Sequence, residues 1–474
     1  MTWTTVWLHG MTLPNGRGTQ RSSAANPAGS AQRSARVVRR RLPVSMTADC
    51  MRRAGVVAMA VLTAATAGAQ FVQYTAPGSL AVEQVPLKER LEAAMKEARY
   101  HLGPVRVGPW VALKDFGYLN NAYGSVVNPQ SDITATVGVG AQAYVPVGPK
   151  VIVGLYALPE YVWWRDLTAR RGWNGRGGAG VFGYFNRLTV ELQGGYSREQ
   201  QYVSSEITVP INLEDQKASA LVELRVTGRL SLFGRGGVDR WRYNLRGLTG
   251  PLGPELTAIE RNEQRAGGGV RLHLSDDLSV GVGAESLNND FIHPEHDLSS
   301  SGTAPLLELT MKRAHVRASV SVARLDLKPK AGSSFVKYTG TMGQFQLGWR
   351  PHSRLELVWY GARNLVYSVY TPSPYFIDER TGLSAEMPFG WRSSARVFAE
   401  TGRDTYVGAP ATGSVGTEDL KAWGGAFSYK LSELVAVVLS GSRTDYTTRF
   451  GPFDTSVTQV QATLQFSGGA SAWW

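Results

Sequence analysis

The chain has 474 residues, 43% of them hydrophobic, 10% aromatic and only 19% charged, with 53 glycines and 13 tryptophans. That profile is aromatic-rich and charge-poor for a soluble domain and suits a surface that meets hydrocarbon. The formal charge of +12 suggests nucleic acid, but nine of the 50 basic residues and one of the 38 acidic ones lie in the first 69 positions, leaving 41 against 37. The nucleic-acid hint goes with that segment. Cys50, the single cysteine, lies there too, so the remainder can make neither a disulfide nor a thiolate metal site.

Residues 51–70 combine a basic start at Arg52 and Arg53, a short apolar stretch, and Ala67-Gly68-Ala69 before Gln70. This is the pattern of a secretory signal peptide, and the apolar stretch is too short to span a bilayer. Residues 51–69 are therefore expected to be cleaved. Residues 1–50, rich in Ser, Ala and Arg, are read as an over-extended gene start or a disordered leader. Cys50 precedes the apolar stretch, which argues against a lipoprotein.

A periplasmic N-terminal segment, 70–104, follows. Within Pro86–Tyr100, the residues Leu87, Leu91, Met95 and Ala98 recur at helical spacing among charges. The spacing predicts one short amphipathic helix packed on the rim of whatever comes next, with a lumen plug or partner-docking helix as the sharper alternative.

From about Val105 the period becomes two, the spacing at which side chains alternate across a sheet. Ala135, Val137 and Val139 alternate with Thr134, Thr136 and Gly138. Val316, Ala318 and Val320 alternate with His315, Arg317 and Ser319. Alternation alone suits a soluble sandwich as well as a membrane barrel. Three further features favour the barrel. Tight turns (Pro146–Lys150, Tyr184–Arg187, Leu274–Asp277, Pro351–Arg354, Met387–Gly390, Lys430–Glu433) are separated by longer polar loops (Tyr243–Glu260, Asn288–Ser301, Arg403–Thr417). Aromatics, among them Trp164, Trp173, Tyr184, Trp241, Tyr243, Tyr360, Phe389 and Trp391, gather near strand ends like interfacial girdles. The last strand, Val457–Phe466, ends on an aromatic, as in the closing strand that barrel-assembly machinery recognises.

The expectation is an all-β, antiparallel transmembrane barrel over 105–466, of about 18 strands with 16 as the alternative, followed by a tail, 467–474. Its place is the bacterial outer membrane, and a barrel of this size leaves an aqueous channel unless something fills it.

No catalytic or metal site is expected, and no cofactor. Gly175–Gly180 matches G-x-G-x-x-G but lies inside a strand, where no helix N-terminus awaits a phosphate; small residues there make room or let the strand bend. His293 and His296, interrupted by Pro294, lack a preset metal geometry. A hydrolase triad assembled from different strands stays as a minor alternative. The inward charges are the candidate pore lining: Arg225, Arg271, Arg317, Arg350, Arg363, Arg392 and Arg396 with Glu191, Glu223, Glu308 and Glu356. They either pair across strands and brace the wall, or present a mildly cationic lining to anionic or sugar-like solutes.

Within Val107–Val139, the residues Gly117, Tyr118, Asn120, Asn121, Tyr123, Ser131 and Asp132 resemble the opening of β-barrel porins encoded in exopolysaccharide loci. The acidic residue that usually precedes the Asn pair and the proline of the second strand are absent. The resemblance implies an outer-membrane pore or export channel, with a polysaccharide or a periplasmic export component as partner. The alternative is a closed structural, receptor or adhesin barrel.

Overall fold

The computed structural model describes residues 74–81, 86–122, 129–245, 252–370, 373–408, 416–432, 434–448 and 454–467. The leader, the signal peptide and all of the tail beyond Ser467 lie outside the described residues.

A helix, α1 (Leu87–Glu97), and a short strand, β1 (Tyr100–Leu102), precede the long strands. These are β2 (Val105–Leu119), β3 (Asp132–Val147), β4 (Val151–Trp164), β5 (Gly172–Tyr184), β6 (Leu188–Gln201), β7 (Ile211–Arg225), β8 (Leu230–Asn244), β9 (Arg261–Ser275) and β10 (Leu278–Phe291). The series continues with β11 (Ser300–Lys312), β12 (Val316–Pro329), β13 (Tyr338–His352), β14 (Leu355–Tyr367), β15 (Tyr375–Phe389), β16 (Ser393–Val407), β17 (Thr417–Lys430), β18 (Val435–Thr448) and β19 (Thr455–Ser467). Each strand from β2 to β19 pairs antiparallel with the next, and β19 pairs with β2, for example Leu464 with Leu113. Eighteen strands thus close on themselves with no free edge, the condition for sheet to cross a bilayer.

Residues facing out are exposed and apolar: Leu383 is 62% exposed, Val282 58% and Trp423 58%. Exposed aromatics mark the two borders of this belt, Trp391, Phe389 and Trp349 near the short turns and Trp173 and Tyr161 toward the long loops. A closed antiparallel barrel with such a belt is a bacterial outer-membrane β-barrel. Five aromatics expected at the interfaces (Trp164, Tyr184, Trp241, Tyr243, Tyr360) instead stand on lumen positions; clustering near strand ends does not distinguish the two faces, and their parity places them inside.

Connections alternate as the sequence suggests. Short turns lead from Val147 to Val151 and from Phe389 to Ser393, with Gly148 (φ 67°) and Gly390 (φ 73°) in the left-handed region. Inside β5, Gly178 lies where a Cβ would meet the hydroxyl of Tyr156 at 2.8 Å, and Gly195 of β6 at 2.7 Å. The glycine run therefore makes room for an inward tyrosine.

Candidate functional site

The lumen is the candidate site, and its contents differ along its length. Toward the short turns, inward charges pair along the wall. Arg271 bridges Glu223 and Glu308, at 3.1 Å to the latter, while Arg235 reaches Glu308 at 2.5 Å and also pairs with Glu285. Arg350 meets Glu356 at 2.7 Å, and Arg396 pairs with Glu386 across β15 and β16. Arg317 shares the inward face of β12 with Ser321, and Glu191 accepts from the Tyr184 hydroxyl at 3.1 Å. Eight of the eleven expected lining residues are thus brought into one band, where cross-strand pairing offsets much of its charge.

Three of the expected positions fall elsewhere. Arg225 ends β7 at the exposed rim. Arg392 sits in the short turn after β15, its guanidinium 4.2 Å over the ring of Trp391. Arg363 lies at the point where β14 leaves β13, on the strand face opposite to that of Glu356, paired with Glu379 and hydrogen-bonded to Tyr338. It follows Glu356 by seven positions in one unbulged strand, and an odd step reverses the face.

The N-terminal segment enters this lumen. Helix α1 buries Leu91 and Ala94 against Tyr144 and Phe182, both inward-facing and 0% exposed. It therefore sits inside the mouth and not on the rim, because its apolar face matches aromatics that face in. Glu89 pairs with Lys312 on β11, well round the barrel from β3 and β5, so the helix bridges the opening. Burial lowers the pKa of the Arg90 guanidinium near Glu191.

Upstream, residues 74–81 run along the inner faces of β13–β16 as a strap. Gln346 donates to the Leu80 carbonyl at 2.9 Å, Ser384 to that of Ala81 at 3.0 Å, and the Gly78 N–H to Glu400 at 2.8 Å. Arg380 is the hub. Its guanidinium stacks 4.6 Å over the ring of Tyr74, donates to the Thr75 carbonyl at 2.5 Å and pairs with Asp378 at 2.7 Å, with Glu400 at 3.6 Å.

Two further segments cross the long-loop half. The β6–β7 loop, 202–210, turns inward: Ser205 donates to Asp404 on β16, and Glu206 accepts from Ser368 at 2.5 Å and from the Val369 N–H at 2.9 Å. The upper part of the β14–β15 hairpin leaves β13, whose register with β14 ends at Gly343–Arg363. One face of it, Leu365, Tyr367, Tyr375 and Ile377, packs on inward Leu325, Leu327 and Met342 and on Ile207 and Val209 of the loop. Its other face, Val366 and Phe376, packs on Tyr74 and Tyr406. An apolar core thus forms inside the barrel. Burial pushes the Glu206 carboxyl up to about 7 and raises the Tyr202 hydroxyl; hydrogen bonds from Ser368 and Val369 oppose the rise at Glu206.

Asp378, Arg380, Asp404, Glu418 and Glu206 were not expected at the site. One signal for them was present: the hairpin is apolar on both faces (Leu365-Val366-Tyr367, Tyr375-Phe376-Ile377), which a strand with one lipid face and one wet face does not require.

No protein-family model and no curated protein sequence matches the chain. Among solved structures it is similar to the outer membrane protein OpdK of Pseudomonas aeruginosa, at 11% identity over 76% of this chain and 99% of that one, with a TM-score of 0.47. It is also similar to OccK2 (OpdF) of that organism, crystallised with glucuronate, at 9% identity over 77% and 97%, TM-score 0.46. The siderophore receptor PirA of Acinetobacter baumannii matches at 7% identity over 78% and 81%, TM-score 0.43. At these identities and scores none of them lends a ligand or a residue role to this chain.

Proposed function

We propose that the protein is a gated outer-membrane pore for small solutes. Eighteen strands close a wall that needs no support from within, and that width accommodates an aqueous channel. The carrying observation is what occupies it: a strap, a loop and a hairpin tip that meet around Arg380 and Glu206, tied to one another and to the wall by side-chain contacts. Such contacts can be exchanged without unpairing a barrel strand. The short turns face the periplasm in this reading, and the long loops face out.

The pairing of Arg271, Arg350 and Arg396 with carboxylates supports weak charge selection instead of a strongly anion-selective lining. Polysaccharide export rests on the N-terminal resemblance alone, and a polymer would require the whole inner core to clear. The apolar packing of the long-loop half favours a second reading, a closed structural or receptor barrel.

Single-channel recording separates the two. The wild-type protein is expected to show small, intermittent steps in a planar bilayer, and deletion of residues 74–81 to enlarge them. If both proteins insert, shown by protease protection of the strands, and both stay silent, the pore reading fails and the closed barrel stands.

A further inference from the structure

On the outside of the barrel, three neighbouring strands change character at one level. On β12 the outward positions are apolar as far as Val322 and then become Arg324, Asp326 and Lys328; on β11 they are apolar as far as Pro305 and then become Thr303 and Ser301. On β13 the last apolar side chain is Phe345, and Thr341 and Thr339 follow. The registers align these switches: Val322 lies opposite both Leu307 and Gly343, Arg324 opposite Thr341, and Asp326 opposite both Thr303 and Thr339. A charge on the outer wall costs most at mid-bilayer and little at its border, so this level is the edge of the hydrocarbon on the long-loop side.

The charges just past that edge do not balance. Among the described residues, Asp326 is the one carboxylate on the outward face of β11–β13, against Arg324, Lys328 and Lys337. It accepts from the Thr339 hydroxyl at 3.0 Å and lies 4.0 Å from the Lys337 ammonium, with both members of that pair exposed. Arg324 and Lys328 are exposed and have no carboxylate partner among the described residues. Other cations along the border are answered, Arg198 by Glu214 at 3.4 Å and Arg403 by Asp419 at 2.6 Å. The wall is also interrupted beside this patch. Strand β13 pairs with β14 no further than Gly343–Arg363, so its edge from Tyr338 to Met342 has no strand on that side.

Three cations against one carboxylate suit an anion, and what adjoins them decides its source. The apolar belt begins directly on the turn side of the patch, at Leu307, Val322 and Phe345. A free anion leaves that junction unused, and an acidic protein does not enter hydrocarbon. A molecule with phosphate at one end and acyl chains at the other meets both halves.

We propose that the outward face of β11–β13 at its long-loop end docks a lipid with a phosphorylated headgroup, its phosphate among Arg324, Lys328 and Lys337 and its chains along Leu307, Val322 and Phe345. A guanidinium offers phosphate two parallel N–H donors, so Arg324 carries the larger share. The site lies outside the lumen and needs no open channel. It takes from the pore reading only that the long loops, and with them this leaflet, face out.

Native mass spectrometry of the folded full chain released from micelles tests it, with bisphosphorylated lipid A, the same glycolipid stripped of its phosphates, and inorganic phosphate as probes. The bisphosphorylated lipid is expected to be retained about tenfold more tightly than the stripped one. Arg324→Gln and Lys328→Gln should each weaken it about fivefold, the effect of one basic residue at a charged membrane surface. Arg187→Gln, in a short turn at the opposite rim, should leave it unchanged. Equal retention of the stripped lipid would overturn the proposal with no variant needed, as would lipid A binding untouched by Arg324→Gln and Lys328→Gln together. Retention of inorganic phosphate alone would identify a bare anion site and overturn the lipid as its source. Mass is read without current, so a lipid-binding protein that never conducts supports the site while the pore reading fails.

Discussion

In the short-turn half of the lumen, charges lie along the wall and answer one another between neighbouring strands, as Arg271 answers Glu223 and Glu308. In the long-loop half the contacts run across the lumen: Ser205 to Asp404, Glu206 to Ser368, Arg380 to Thr75. Pairing along the wall stiffens strands that are already hydrogen-bonded, whereas pairing across the lumen fixes segments that nothing else holds. The difference locates the movable part of the molecule, and it can be broken by experiment.

The largest effect is expected at Arg380. Arg380→Ala leaves Asp378 and Glu400, 1% and 6% exposed, without their cation, and removing one partner of a buried ion pair costs roughly 3–5 kcal/mol. Arg271→Ala should cost less than half as much, since its side chain is 22% exposed and water can solvate the carboxylates left behind. Urea unfolding in micelles compares the two; equal losses would mean that the halves of the lumen do not differ as described.

Next comes the helix across the mouth. Leu91→Ala removes a fully buried side chain from contact with Tyr144 and Phe182, at roughly 2–5 kcal/mol of docking energy. The loss should stay local. Protease cleavage within residues 87–97 is expected to quicken while the barrel keeps its unfolding midpoint. A lowered midpoint would show that the helix braces the wall, and the mouth would join the fixed part.

How far the sequence displays this architecture depends on which physical rule governs each part. The barrel, its turn asymmetry and the charged band follow from period two, because each lipid-facing position must be apolar and its neighbours are free to be charged. Parity separates Arg363, an odd step from Glu356 along β14, from the inward set, and it gives way at Arg392, where a turn takes over. The interior of the long-loop half is less legible. Arg380, Asp404 and Glu206 meet across a lumen from β15, β16 and the β6–β7 loop, and no local spacing encodes a contact between residues 199 positions apart, such as Ser205 and Asp404. The helix is visible in its spacing, but its seat is not, since the same apolar face would suit a rim or a mouth.

A smaller effect is expected from pH, through Glu206. Its carboxyl is raised to about 7 when the loop is seated, against roughly 4.3 for a hydrated one. The seated state therefore holds its proton more tightly. Seating is fully favoured below the hydrated value and weakens as pH rises to about 7, above which both states are ionised and nothing more is lost. The Tyr406 hydroxyl also hydrogen-bonds to this carboxyl and opposes the rise, whereas Glu418 faces it and each carboxyl disfavours the other's charge. Open probability should rise several-fold between about pH 4.5 and 7, and Glu206→Gln, neutral throughout, should remove the slope. A slope that survives the substitution would assign the titration to another carboxyl of the long-loop half.

The smallest effect belongs to the outer face, which should follow neither half. Arg443 meets Asp445 at 2.9 Å with both side chains about half exposed, at 46% and 40%, and Arg403 meets Asp419 at 2.6 Å on the same outer side. Exposed pairs gain little over their separate hydration, so Arg443→Ala should shift stability by less than about 0.5 kcal/mol and leave conductance unchanged. A cost several times larger would mean that these charges are held by something outside the barrel, and the contrast between wall-bound and lumen-crossing contacts would then need a third member at the membrane surface.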